Sequence, residues 1–311
     1  MSFITKQAIL RTLIYADIFD YPLTIEELWK HLISPKAIDK KLFTEILKNS
    51  KFLKKKGDFY FLPGRDSLFK KRTNRQKESK RKMRIARQIT RIIRKIPTIE
   101  MIGITGALAM NNSDRDDDID LFVICSKKTL WITRFLVLLV LECLGLRRKR
   151  HQQKVSDTIC VNMIITKDAL YMPQIKKDLY TAHEIIQMRP VFEKKYTYQE
   201  FIKRNKWIKR YMFNSLDSKI LRYKPALSAR REIKKPLLNY CIVSLLKLFE
   251  FPARFVQLFI IKQHQTIEIV SDVVVAFHPF DYRTKILSEY KKRFKQYDPL
   301  SLKLRKIMSQ S

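Results

Sequence analysis

GITGALAMNNSDRDDDIDLFVIC, running from Gly103 to Cys125, sets the densest run of acids in the chain directly against an apolar strand pattern. The overlapping IEMIGITG is an apolar strand ending in a glycine, ALAMNN is a short helical start, and DIDLFVIC is a strand apolar on both faces. The segment therefore reads as βαβ-like. Residues two apart on a strand project to one face, so Asp118 and Asp120 direct their carboxylates into one small volume. Two such groups repel unless a cation shares them, and hard oxygen ligands suit Mg²⁺, with Mn²⁺ the other candidate. A solvated acidic turn is the bland alternative. Against it stands Asp120, set between Ile119 and Leu121 in the apolar run, where an unpaired carboxylate is costly to bury. A metal site in a basic chain implies a phosphate-bearing substrate.

The residues TGALAMNNSDRDDDIDLFV resemble the signature of the polymerase beta-like nucleotidyltransferase superfamily. In that signature a strand ends in a glycine pair or Gly-Ser, and an acid, an apolar residue and a second acid open a later strand. Gly106 matches the glycine, Asp118 and Asp120 the acids, and Ile119, Leu121 and Val123 the apolar alternation; the resemblance spans residues 97–167. It implies Mg²⁺-dependent transfer of a nucleoside monophosphate from a nucleoside triphosphate to a hydroxyl of RNA, protein or a small molecule. Asp118 and Asp120 would be the catalytic metal ligands. Gly106 and Ala107 would cradle the phosphates with backbone N–H groups. Two departures stand out. Ala107 occupies the usual Ser position, leaving Thr105, Asn111, Asn112 or Ser113 as the donor, and Ser113 is taken into the nucleotide-binding set. The family also commonly adds a third acid from a later strand, where DTICVNMIIT presents Asn162. An amide oxygen ligates a metal but takes no proton. Asp157, on the opposite strand parity, is the alternative. These departures keep open a second reading, a catalytically decayed nucleic-acid-binding or regulatory protein. A toxin–antitoxin type of partner is a third, which no residue supports or opposes.

Composition frames both readings. The 311 residues carry 64 Lys and Arg against 30 Asp and Glu, a formal charge of +34, which calls for a polyanionic partner: nucleotide, RNA or DNA, or an anionic membrane surface. Hydrophobic content of 46% is ample for globular cores and excludes a disordered chain. Cys125, Cys143, Cys160 and Cys241 lack paired metal spacing and read as reduced residues of a cytoplasmic protein. The N-terminus has no secretory pattern. LWITRFLVLLVLECLGL and LLNYCIVSLLKLFEFPARFVQLFII are interrupted by charges and read as buried helices rather than spans, with an interfacial helix left open at the second.

The first residues have their own grammar. KQAILRTLIYADIF, PLTIEELWKHL with a Thr24–Glu27 capping box, and AIDKKLFTEILKN predict three helices, and SKFLKKKGDFYFLPG predicts a hairpin turning at Gly57 and Asp58. Three helices and a hairpin resemble a winged helix-turn-helix, a nucleic-acid reader or, in the alternative, a packing module. Residues 65–96 predict a basic linker helix. Met83, Ile85, Ile89, Ile92, Ile93 and Ile96 form its apolar stripe, and the opposite face is open to a polyanion. KKTLWITRFLVLLVLECLGLRRKRHQQK is the crossover helix, closed by the cluster Arg147 to Arg150. Beyond Lys167 the pattern is mostly helical. His183, Glu184, Gln187 and Arg189 fall at helical spacings there, Trp207 and Tyr211 lie among lysines, and His278 reads as a turn residue. The expected fold is α+β: a winged helix at 1–64, the linker helix at 65–96, a mixed-sheet nucleotidyltransferase core at 97–167 and a mainly helical domain at 168–311.

Overall fold

The computed structural model describes residues 2–50, 52–149, 152–171, 177–216, 236–263, 269–276 and 282–297. His278 and Arg150 lie outside them. The protein is α+β, with helices around a mixed six-stranded sheet.

The chain opens with α1 (Ser2–Asp17), α2 (Ile25–Lys30) and α3 (Lys40–Asn49), followed by the antiparallel hairpin β1 (Lys54–Lys56) and β2 (Phe59–Phe61). The capping box forms: Thr24 Oγ1 accepts from Glu27 N at 3.2 Å and Glu27 returns an acceptor to Thr24 N at 2.9 Å. Leu28, Phe43, Leu47 and Tyr60 close a small core of their own. Helix α4 (Leu68–Ile93) then leads to the sheet.

The sheet contains β3 (Ile99–Ile104), β4 (Ile119–Cys125), β5 (Ile159–Thr166), β6 (Arg189–Glu193), β7 (Ile269–Val270) and β8 (Val274–Ala276), in the order β6-β3-β4-β5-β8-β7. Between them run α5 (Gly106–Ala109), α6 (Leu130–Cys143), α7 (Leu179–Gln187), α8 (Thr197–Arg204), α9 (Pro236–Leu248) and α10 (Glu250–Lys262), and α11 (Tyr282–Tyr297) follows. Strands β4 and β5 are parallel and α6 is their crossover, as expected. Strands β3 and β4 are antiparallel, correcting the βαβ-like reading. The four residues of α5 are too few to carry the chain back along the sheet. The sheet is also not confined to 97–167. Strands β6, β7 and β8 come from the segment read as helical, where two to five residues leave little periodicity to detect.

Alternation along β4 sorts the layers. Ile119, Leu121, Val123 and Cys125 face the core shared with α4 and α6, while Phe122 and Ile124 face the core shared with α7 and α8. Two further expectations change. Helix α4 buries Ile89 and Ile93, but Ile92 is exposed, and its buried residues also include Arg72, Ser79 and Lys82. Helices α9 and α10, expected to be buried, leave most of their large apolar side chains in solvent. Among the described residues no helix is long and apolar enough to cross a membrane.

Candidate functional site

Strand β3 ends at Ile104, and the chain turns through Gly106 at φ +62° into α5. A Cβ at Gly106 would lie 2.5 Å from Asp120 Oδ2, so the left-handed backbone and the carboxylate beneath it both require glycine. Asp118, directly before β4, and Asp120 within it are half-buried. Their carboxylate oxygens and the Cys160 sulfur lie within 4.8 Å of one another. Among the described residues nothing donates a hydrogen bond to the Asp120 carboxylate. Burial first, then the charges of Asp118 and Glu184, push its pKa up to about 8. At neutral pH the pair therefore holds a proton or needs a cation.

A cleft of about 760 Å³ opens over these acids. Tyr15 and Ala16 of α1 and Phe19 of the turn after it line one part, and Tyr180, Glu184 and Gln187 of α7 line another. Arg147, Arg148 and Lys149 also line it. Gly145, at φ +66°, ends α6 by turning the chain so that Gly145 N bonds Glu142 O at 2.9 Å. The chain then pairs with β5, Arg148 N donating to Ile159 O at 3.1 Å. That pairing carries the Arg148 guanidinium onto Asp118, with which it forms an ion pair. Burial pushes the Glu184 carboxyl up to about 7, and Tyr180 is raised by the charge of Glu184 and by burial. His183, by contrast, is pushed down to about 4 by burial and stacks on Tyr15 at 3.8 Å, its Nδ1 donating to Leu179 O. It is a neutral packing residue.

The rest of the acidic run is held from behind by α4. Lys82, with no solvent exposure, donates from Nζ to Asp117 O at 2.6 Å, Arg115 O at 2.9 Å and Asp157 Oδ1 at 2.9 Å. Arg81 adds a two-pronged contact to Asp157 at 2.7 and 2.8 Å. Arg72, equally buried, donates to the Met110 and Asn111 carbonyls and pairs with Glu27 at 2.7 Å. Arg75 bonds Asp114 at 2.6 Å. The helix read as a linker thus spends four of its cations on shaping the loop that leads to Asp118 and Asp120.

The sequence-predicted residues divide accordingly. Gly106, Ala107, Asp118, Asp120 and Asn162 line one cleft. Ser113 is not brought to it: fully buried, its N–H donates to Ser79 Oγ at 3.0 Å and its hydroxyl to Asp117 at 3.3 Å. Asn111, also outside it, accepts at Oδ1 from Arg189 at 2.9 Å; Asn112 lines the cleft while its Nδ2 donates to Phe19 O at 3.0 Å. Asp157 belongs to α4's cations. Opposite Asp120 on β5 stands Cys160, and the register slips between Leu121 and Phe122 so that Asn162 is the unmatched residue. A bulge of this kind has no signature in DTICVNMIIT. Burial raises the Cys160 thiol well above its ordinary pKa, keeping it protonated. Cys160 and the cleft position of Glu184 escaped the sequence reading, though Glu184 left a signal in its helical spacing with His183 and Gln187; Arg148 belongs to the basic cluster Arg147 to Arg150 that the sequence reading had named. Trp207 and Tyr211 pack against the α7–α8 core, edge to face at 6.3 Å.

No family model matches the chain, and neither a curated protein nor a solved structure matches it.

Proposed function

We propose that the chain is a metal-dependent nucleotidyltransferase that moves a nucleoside monophosphate from a nucleoside triphosphate to a hydroxyl acceptor on RNA, a protein or a small molecule. The observation that carries this reading is the pair Asp118 and Asp120, crowded under a strand-end glycine whose side-chain space Asp120 itself occupies. Two carboxylates this close, one of them raised to about 8, fit a hard divalent cation, Mg²⁺ or Mn²⁺. The Cys160 thiol beside them supplies no hard ligand. When bound, such an ion neutralises the pair and polarises phosphoryl oxygens.

The chain's own groups do the remaining work. Gly106 lets the triphosphate approach the backbone, where the first N–H groups of α5 have no partners within the helix. Arg147, Arg148 and Lys149 offset phosphate charge, Arg148 exchanging its ion pair with Asp118 for the nucleotide. A protonated thiol at Cys160 and an amide at Asn162 cannot take the acceptor's proton. Glu184, which lines the cleft and whose carboxyl burial raises to about 7, would accept it. The N-terminal helices and hairpin are read as a winged helix, whose exposed Lys40, Lys41, Lys48 and Lys55 would hold a nucleic-acid backbone.

Cys160 in the third position, together with the Arg148 ion pair on Asp118, favours the second reading, a decayed nucleic-acid-binding or regulatory protein. Labelled nucleoside triphosphates with Mg²⁺, offered to cellular RNA, protein and metabolite fractions, separate the two. Transfer that disappears in Asp118→Ala/Asp120→Ala supports the enzyme. Salt-sensitive nucleic-acid binding that survives those changes, with no transfer, supports the alternative.

A further inference from the structure

Helices α9 and α10 invert the ordinary placement of apolar side chains. On α10, Gln257 and Ile261 are buried toward α6, while Phe251, Phe255 and Phe259, four residues apart on the other side, are 64–72% exposed. On α9, Tyr240 and Leu245 also stand in solvent, and none of the described side chains of that helix is buried. A helix this apolar is stable only when something covers it, and so large a contiguous apolar surface marks an interaction site. At 13 residues each, or about 20 Å, neither helix crosses a bilayer core of about 30 Å.

Charge selects the covering partner. The one acid within the two helices, Glu250, is turned inward, accepting from the Trp131 and Ile132 N–H groups at 2.9 Å each. Arg254 is paired with Asp272 at 2.6 Å. What remains at the rim is exposed Lys247 and Lys262, on a chain of net charge +34. An apolar face without outward acids, edged by lysines, complements anionic headgroups over acyl chains. We propose that α9 and α10 form an interfacial pair of consecutive helices that seats the protein on an anionic phospholipid bilayer. Ile260, half in this face, also lines the cleft, so docking brings the mouth of the cleft to the membrane surface. The proposal is independent of the chemistry assigned to the cleft.

Flotation of the full chain with vesicles of phosphatidylglycerol and phosphatidylcholine, against phosphatidylcholine alone, tests it at low and high salt. Electrostatic attraction alone would recruit so basic a protein, so the decisive fraction is the one that salt does not release. The wild type is expected to bind the anionic vesicles and to keep part of that binding in high salt. Phe255→Glu/Phe259→Glu should lower the salt-resistant part at least about tenfold. Leu245→Glu on α9 provides an independent variant, and an unchanged thermal melt shows that each is folded. Equal salt-resistant binding by wild type and variants overturns the proposal. So does a dimer that the variants split without lipid binding, since a second copy then covers the face. A monomer with no vesicle affinity overturns it as well, because the rest of the chain then covers the helices.

Discussion

Asp157 and Asp120 meet opposite fates within one fold. Asp157 is gripped by Arg81 and Lys82; burial alone would raise its pKa, but the hydrogen bonds and charges of those two cations outweigh it and the carboxylate is lowered. Asp120, which no described side chain grips, is raised to about 8. Asp157 therefore strengthens the fold as an anion, whereas Asp120 weakens it whenever it ionises without a cation. The difference teaches that α4 stabilises the loop so that β4 can carry an unstable pair.

The largest test removes the unstable pair. Asp118→Ala/Asp120→Ala is expected to lower nucleotidyl transfer about a thousandfold while leaving urea unfolding no worse than wild type; marked destabilisation would show that both sets of acids are structural. Next, Lys82→Ala strips a buried cation from Asp157 and two carbonyls. It should cost about 3 kcal/mol in urea unfolding, against a much smaller effect for the exposed Lys80. Asp120→Asn, without divalent ions, should raise stability by about 1 kcal/mol, or about 2 °C in Tm.

The pH dependence sharpens the contrast further. For Asp120 and Glu184 the folded pKa values, about 8 and about 7, lie above the unfolded ones. Their contribution is complete below the unfolded carboxylate pKa and is lost as pH rises through 7 and 8, so divalent-free Tm should fall across that range. Asp157 is lowered, so its contribution is present at neutral pH and lost as acid titrates it below its ordinary value. Saturating Mg²⁺ should flatten the alkaline slope and leave the acid limb unchanged. A small effect also belongs to Ser113→Ala. It should cost about 1 kcal/mol through the lost contact to Asp117 and leave nucleoside triphosphate affinity alone, because its hydroxyl serves the loop.

Much of the local structure was legible. The capping box at Thr24, the hairpin at Gly57, the crossover α6 and the proximity of Asp118 and Asp120 each follow from rules that act within a few residues. Strands β6, β7 and β8 were not legible. They are short, and pairing partners far away in sequence make them strands. That Cys160 stands opposite Asp120, with Asn162 two residues on along the same cleft, was not legible either, because register and the bulge at Asn162 are properties of two strands together. The cations of α4 looked like a surface for polyanions, yet two of them are fully buried.

The amino-acid order by itself determined the carboxylate pair, the glycine above it and the excess of positive charge, since neighbour spacing and composition suffice for these. Only the tertiary structure decided which acids are gripped by cations and which are not, and which apolar helices lie inside. Those outcomes depend on where distant cations and side chains come to rest, and no local pattern encodes that position.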